Sequence, residues 1–257
     1  MTSVRHDGRA TTYCRFDRGA TRPGVLCVHG SGGDAGVWKS QARLAEAYPV
    51  VAVDLAGHRD SADVDAEPGR PTLEAYADDV VAVAQATGAS VLVGNSLGGA
   101  VALWVALERD LALDALVLAG TGARLAVDDD LLAWLADDFD RAVEVLHGEN
   151  RLFHDVDARY RELSRATMAE TGPAVTERDF RTCDRFDVRD RLDEVDVPAL
   201  AAVGEHDRLT PPRLHDSLAD GLPTCELAVV EDAAHLAMLE RPTAFNAAVR
   251  SFLDRTV

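Results

Sequence analysis

The sequence predicts an α/β fold: a mostly parallel, eight-stranded sheet flanked by helices and interrupted once by an all-helical insertion. Three observations predict it. Apolar runs too short for helices recur at 25–29, 50–54, 90–95, 115–120, 199–205 and 226–231, bounded by glycine, proline or polar residues. Helical patterns separate most of them, and strands alternating with helices build a parallel sheet through right-handed crossovers. Ahead of these runs, Val4 to Asp17 reads as a hairpin turning at Asp7-Gly8, a pair that tolerates the positive φ of a tight turn.

Taken in order, the first apolar strand, Val25 to Val28, runs into His29-Gly30-Ser31-Gly32-Gly33, a turn whose backbone N–H groups can point into a cleft. It is a poor phosphate cradle, because no Gly-Lys-Ser/Thr follows and a dinucleotide G-x-G-x-x-G register does not fit. The next strand ends at Asp54, which reads as a cap for its own loop. The run Ser90 to Gly94 leads into Gly94-Asn95-Ser96-Leu97-Gly98 and then a helical stretch to Glu108. Strand, sharp turn and helix form a nucleophile elbow, in which glycines two before and two after the serine let the turn close. Such a turn lifts Ser96 Oγ above the sheet edge. It also sets the positive end of the helix beside the atom where negative charge develops.

After the strand ending at Gly120 the alternation breaks. Residues 124–192 carry helical spacing only, as in Leu131, Leu132, Leu135 and Phe139, then Tyr160, Leu163 and Thr167. Asp128-Asp129-Asp130 reads as a solvated helix start, where acidic side chains suit the dipole. Alternation resumes with Val197 to Gly204, which ends in Glu205-His206-Asp207, and with a buried run, Glu226 to Val230, which ends in Glu231-Asp232-Ala233-Ala234-His235.

These strand ends supply the partners a serine nucleophile needs. A hydroxyl is weak at its own pKa, so an imidazole must take its proton and a carboxylate must hold that imidazole in one tautomer. The elbow implies the chain order serine, acid, histidine, and Ser96, Asp207 and His235 stand in that order. Glu205 and His206 compete with Asp207, but the register after Gly204 favours Asp207. The N–H groups of Ser31 and Leu97 are the candidate oxyanion hole. His29 and His58, on strand-end loops, read as braces rather than reacting groups.

In combination these motifs resemble the α/β-hydrolase superfamily over essentially the whole chain. The resemblance rests on His29-Gly30-Ser31-Gly32, the loop Asp54-Leu55-Ala56-Gly57-His58-Arg59-Asp60-Ser61, the elbow, Gly204-Glu205-His206-Asp207, and His235 with Glu240-Arg241-Pro242 behind it. It implies catalytic roles for Ser96, Asp207 and His235, and no metal or organic cofactor. It also implies a core of residues 1–123 and 193–257, with 124–192 as a lid that sets substrate choice. Two residues depart from the pattern: Arg59 and Ala234 stand where glycine is common. Most of the large lid side chains, Trp134, Phe139, Phe153, Tyr160, Met168, Phe180 and Phe186, are expected to bury the lid on the core, with a minority facing the cleft.

Composition narrows the partners. The chain has 257 residues and a formal net charge of −18, with Lys39 its sole lysine, and aspartate outnumbers glutamate 30 to 14. An acidic surface repels nucleic acid and anionic membranes, leaving a small-molecule substrate; a homo-oligomer is compatible with this. Such a surface also repels itself at low ionic strength, which suggests adaptation to high salt. The polar N-terminus lacks a signal-like apolar segment, and Cys14, Cys27, Cys183 and Cys225 have no C-x-x-C spacing; Cys27 and Cys225 fall in strands. A cytoplasmic protein is the expectation. The expected activity is hydrolysis of carboxylic esters through an acyl-enzyme. The same triad would also serve a cofactor-free haloperoxidase, a perhydrolase or a C–C bond hydrolase, and the fold hosts non-catalytic ligand-binding proteins.

Overall fold

The computed structural model describes residues 1–257. Its sheet has the eight expected strands: β1 (Thr2–His6), β2 (Arg9–Phe16), β3 (Gly24–Val28), β4 (Val50–Val53), β5 (Ala89–Asn95), β6 (Ala115–Ala119), β7 (Ala199–Gly204) and β8 (Cys225–Val230). Their spatial order is β1-β2-β4-β3-β5-β6-β7-β8, with β2 antiparallel to both neighbours and every other pairing parallel. The hairpin turns at Asp7 and Gly8, whose φ angles of 46° and 78° are the paired positive values of a tight two-residue loop.

Helices cover both faces. A 3₁₀ segment (Ala35–Glu46) and α1 (Arg70–Thr87) precede β5; α2 (Leu97–Glu108) follows it; α7 (Pro212–Gly221), the short α8 (Ala237–Glu240) and α9 (Pro242–Thr256) surround the last strands. Strand alternation divides the interior into two cores. Leu26 and Val28 point to a core of 35 buried residues shared with α1 and α2, whereas Val25 and Cys27 point to one of 33 residues shared with the 3₁₀ segment and α9. Burial on both faces explains why the central strands read as unbroken apolar runs. Helix α2 is apolar on every side because it packs on the central strands β3, β5 and β6 with helices beside it, and its residues Leu97 to Val105 are all buried.

Between β6 and β7 lie α3 (Asp129–Asp137), α4 (Phe139–Leu146), α5 (Ala158–Thr171) and α6 (Pro173–Asp184), followed by a short 3₁₀ turn (Arg189–Glu194). Asp128 caps α3, accepting from the N–H groups of Asp130 and Leu131. One expectation is corrected. The run at β8 is not buried: Glu226, Leu227 and Val229 are exposed, because β8 is the outermost strand with a single strand neighbour. All four cysteines are free, with Cys27 and Cys183 buried and Cys14 and Cys225 partly so. No helix is long and apolar enough to cross a membrane.

Candidate active site

Loops from the carboxyl ends of β3, β5, β7 and β8 meet the helical segment around a cavity of about 730 Å³, lined by Ser31, Ser96 and His235 among others. Such crevices outside the carboxyl ends of parallel strands are where open α/β sheets bind ligands.

Ser96 sits at the head of α2 with φ 55° and ψ −118°, a conformation that costs a non-glycine residue of order 1–3 kcal/mol. Close packing holds it there. Ser96 N–H donates to Ala119 O at 2.9 Å, and Thr121 Oγ1 donates to Ser96 O at 2.9 Å. Thr121 is itself fixed by His215, whose Nε2 accepts from Thr121 N–H at 3.1 Å, and burial keeps that imidazole neutral by lowering its pKa to about 4. A Cβ on Gly94 would stand 2.1 Å from Gly98 O, and one on Gly98 would stand 2.2 Å from Val28 O. Both positions therefore require glycine.

His235 and Asp207 form a buried pair, with His235 Nδ1–H donating to Asp207 Oδ2 at 2.9 Å. The other carboxylate oxygen accepts from the N–H groups of Leu209 and Thr210 at 2.8 and 2.9 Å, and Thr210 Oγ1 donates to Oδ2 at 2.7 Å. Burial by itself would raise the Asp207 pKa, but attraction to His235 and these hydrogen bonds outweigh it and hold the carboxyl below its usual range. An ionised Asp207 leaves the proton of His235 on Nδ1 and the Nε2 lone pair free. Asn95, inside the elbow, donates through Nδ2 to Ala119 O and to His235 O, each at 3.2 Å, tying the serine turn to the histidine loop. Glu240 Oε1 accepts from Ala234 N–H at 2.7 Å and steadies the same loop. Ala234 replaces the usual glycine without strain, since its φ is not positive.

Leu97 opens α2, so its N–H has no partner within the helix. Ser31 lies on the turn after β3, where Gly30 packs so tightly that an added Cβ would be 3.1 Å from Ser96 Cβ. That turn is held from above by Asp179 of α6. Its Oδ2 accepts from Gly32 N–H at 2.9 Å and from His58 Nε2 at 3.0 Å, and its Oδ1 accepts from Tyr76 OH at 2.6 Å. Burial opposes charge on His58 and Asp179, but their mutual attraction prevails: the imidazole is raised and the carboxyl lowered. His29 stays neutral, with burial and then His58 lowering it to about 4; it donates from Nδ1 to Gly30 O and accepts at Nε2 from Leu55 N–H. Both histidines thus brace loops. Asp54 does likewise, accepting from Ala35 N–H at 2.8 Å and from Thr12 Oγ1.

Arg59, the other departure, takes the left-handed conformation that favours glycine, with φ 48°. Its guanidinium bonds Asp34 Oδ2 at 3.0 Å and lines the cavity. Asp179, Tyr76, Asn95 and Thr210 were not singled out from the sequence. Asn95 alone had a local signal, its place inside the elbow; Asp179 reads as an ordinary polar residue on a helix.

A model of the alpha/beta hydrolase family matches residues 25–248. The chain belongs to this family. A pimeloyl-[acyl-carrier protein] methyl ester esterase of Neisseria meningitidis serogroup B is 33% identical over 246 residues, covering 90% of this chain and 92% of the relative. A 2-hydroxy-6-oxo-6-(2'-aminophenyl)hexa-2,4-dienoic acid hydrolase of Metapseudomonas resinovorans is 28% identical over 98% of this chain and 90% of its own. Among solved structures, a thermophilic esterase superposes with a TM-score of 0.86 at 30% identity, over 99% of this chain and 97% of that one. This α/β hydrolase is an esterase-like enzyme.

Proposed function

We propose that this α/β hydrolase cleaves carboxylic esters of small or medium molecules through an acyl-enzyme on Ser96. The observation that carries the reading is the buried His235–Asp207 pair opening onto the same cavity as a serine held at φ 55°. Ser96 Oγ attacks the ester carbonyl as its proton passes to His235 Nε2, and the N–H groups of Ser31 and Leu97 hold the oxyanion. Collapse of that intermediate breaks the C–O bond, and His235 returns the proton to the departing alcohol. Water, deprotonated by His235, then releases the acid and restores Ser96. The name of the Neisseria relative, a methyl ester esterase, agrees with this chemistry.

The charge of the lining supports a neutral substrate. Lys39, Arg59, Arg151 and Arg208 line the cavity beside Asp34, Asp128, Glu149 and Glu170, so its lining is charge-balanced in a chain of net −18. The deciding assay compares turnover of p-nitrophenyl esters of increasing acyl length with turnover of a C–C diketone substrate. Ester cleavage rate-limited by acyl-enzyme formation or breakdown supports the reading, and exclusive C–C cleavage overturns it.

Residues 124–192 serve as a lid that selects the acyl or alcohol group. Of the seven large lid side chains, Tyr160, Met168 and Phe180 line the cavity, while Phe153 and Phe186 are buried in the cores. Phe180→Ala and Met168→Ala are expected to change the kcat/KM ratio between short and long esters by roughly 10-fold or more, since a methylene in an apolar pocket is worth about 1–3 kcal/mol. Equal losses on every ester would make the segment purely structural.

The charge supports a fold suited to high salt. At 1 M the Debye length falls to about 3 Å, which removes most long-range self-repulsion among surface carboxylates. The melting temperature and the turnover are expected to rise together from low salt to molar KCl. A flat or falling melting temperature over that range would remove the salt-adaptation reading and leave the triad assignment intact.

A further inference from the structure

Beside the triad, three loops bring His154, His206 and Asp232 together, with one ligand atom of each lying within 4.8 Å of the others. The residues come from different parts of the fold. His154 lies between α4 and α5, His206 follows β7 immediately before Asp207, and Asp232 follows β8 three residues before His235. The imidazoles of His154 and His206 stack with centroids 3.9 Å apart and planes inclined by 31°.

The orientation of His154 is also set. Its Nδ1 lies 2.5 Å from Asn150 Oδ1, which leaves Nε2 as the ring nitrogen without a side-chain partner. Metal-bound histidines receive this kind of support on their second nitrogen. Hydrogen bonds already knit the three loops: Arg208 N–H donates to Asn150 O at 3.1 Å, His206 N–H donates to Ala233 O at 2.8 Å, and the Glu240 carboxylate bridges His154 N–H at 2.8 Å and Ala234 N–H at 2.7 Å. Glu205 adds a second carboxylate at the edge, its Oε2 3.8 Å from His206 Nε2 and 3.3 Å from Asp232 N.

We propose that His154, His206 and Asp232 bind a divalent transition metal of the Zn²⁺ or Ni²⁺ type, which clasps the helical segment onto the loops that carry Asp207 and His235. Two imidazoles and a carboxylate are a donor set these ions take, whereas Mg²⁺ and Ca²⁺ prefer shells of oxygen. A tetrahedral ion with bonds of about 2.0–2.2 Å places its donors about 3.3–3.5 Å apart. With His154 held by Asn150, rotation of the half-buried His206 and the exposed Asp232 closes the present spacing, and water fills the fourth position. The ion takes no part in hydrolysis, and its site departs from the metal-free expectation drawn from the sequence.

The test uses the full chain, freed of metal by chelator and dialysed at neutral pH. Calorimetric titration with Zn²⁺ is expected to show one site, and a hundredfold excess over its Kd is expected to raise the melting temperature by roughly 5–10 °C. Both effects should disappear in His154→Gln and in His206→Gln, whose circular dichroism should match the parent because neither ring is buried. Mg²⁺ at the same concentration should produce neither. Absence of binding overturns the site. Binding that survives in both variants, or that Mg²⁺ matches, overturns it as well, because the ion then belongs to the general acidic surface.

Discussion

Replacing Ser96 with alanine is expected to lower ester turnover by roughly 10⁴- to 10⁶-fold with little change in KM. The large effect follows from the proposed covalent mechanism, in which without Oγ no acyl-enzyme forms and His235 and Asp207 have no proton to move. Under that proposal, what survives is the polarisation of the bound carbonyl by the N–H groups of Ser31 and Leu97 and its placement in the cavity. Stability should change little or even rise, because the strained φ of 55° at position 96 belongs to the backbone and alanine adds no atom there. A fluorophosphonate should label the parent at Ser96, and an acyl adduct should appear by mass spectrometry in a rapid quench. Retained turnover in the folded Ser96→Ala protein, or a folded parent that resists labelling, would sink the serine mechanism.

The second large effect is expected at Asp179, more than 80 residues along the chain from Ser96. Asp179→Ala removes the acceptor shared by Gly32 N–H, His58 and Tyr76, all in a site where Asp179 and His58 are fully buried. Losing one member of a buried pair typically costs about 3–5 kcal/mol. His58 can shed its proton in response, which places the expected loss near the lower figure, and a melting decrease on the order of 10 °C. Below that temperature kcat should fall more than KM rises, because the turn that carries Ser31 loses its anchor. Normal kcat in a destabilised variant would make Asp179 a purely structural tether.

The same pair gives stability a pH window. His58 is raised when folded, so its contribution is complete below its ordinary pKa of about 6.5 and is lost as pH climbs through the raised value. Asp179 is lowered when folded, so its contribution is present above about pH 4 and is lost as pH falls through the depressed value. The parent should therefore lose more stability than Asp179→Ala on leaving the interval of about pH 4 to 6.5 in either direction. Around the pair, Tyr76 and the Arg178 guanidinium keep their charge states through that interval, while His29, lowered to about 4, takes up a proton at its acid edge.

Much of this molecule was legible in the order of its residues. Val25 to Val28 and Ala199 to Gly204 read as strands because sheets covered on both faces need continuous apolar runs of that length. The Asp7-Gly8 turn and the glycines flanking Ser96 read as turns because few residues accept those backbone angles. The expected Ser96, Asp207 and His235 order could be written down because each follows a recognisable strand end. Tertiary structure alone decided the rest. Nothing near Asp179 announces that it meets Gly32 and His58, and nothing in Tyr160, Met168 or Phe180 distinguishes them from Phe153, which is buried. Nor could β8 be known as exposed, since an edge strand and a central one differ in their neighbours rather than their letters. The physical reason is range: periodicity and turn chemistry are set within a few residues, whereas these contacts join segments up to about 150 residues apart and exist only after the helices between β6 and β7 settle over the sheet.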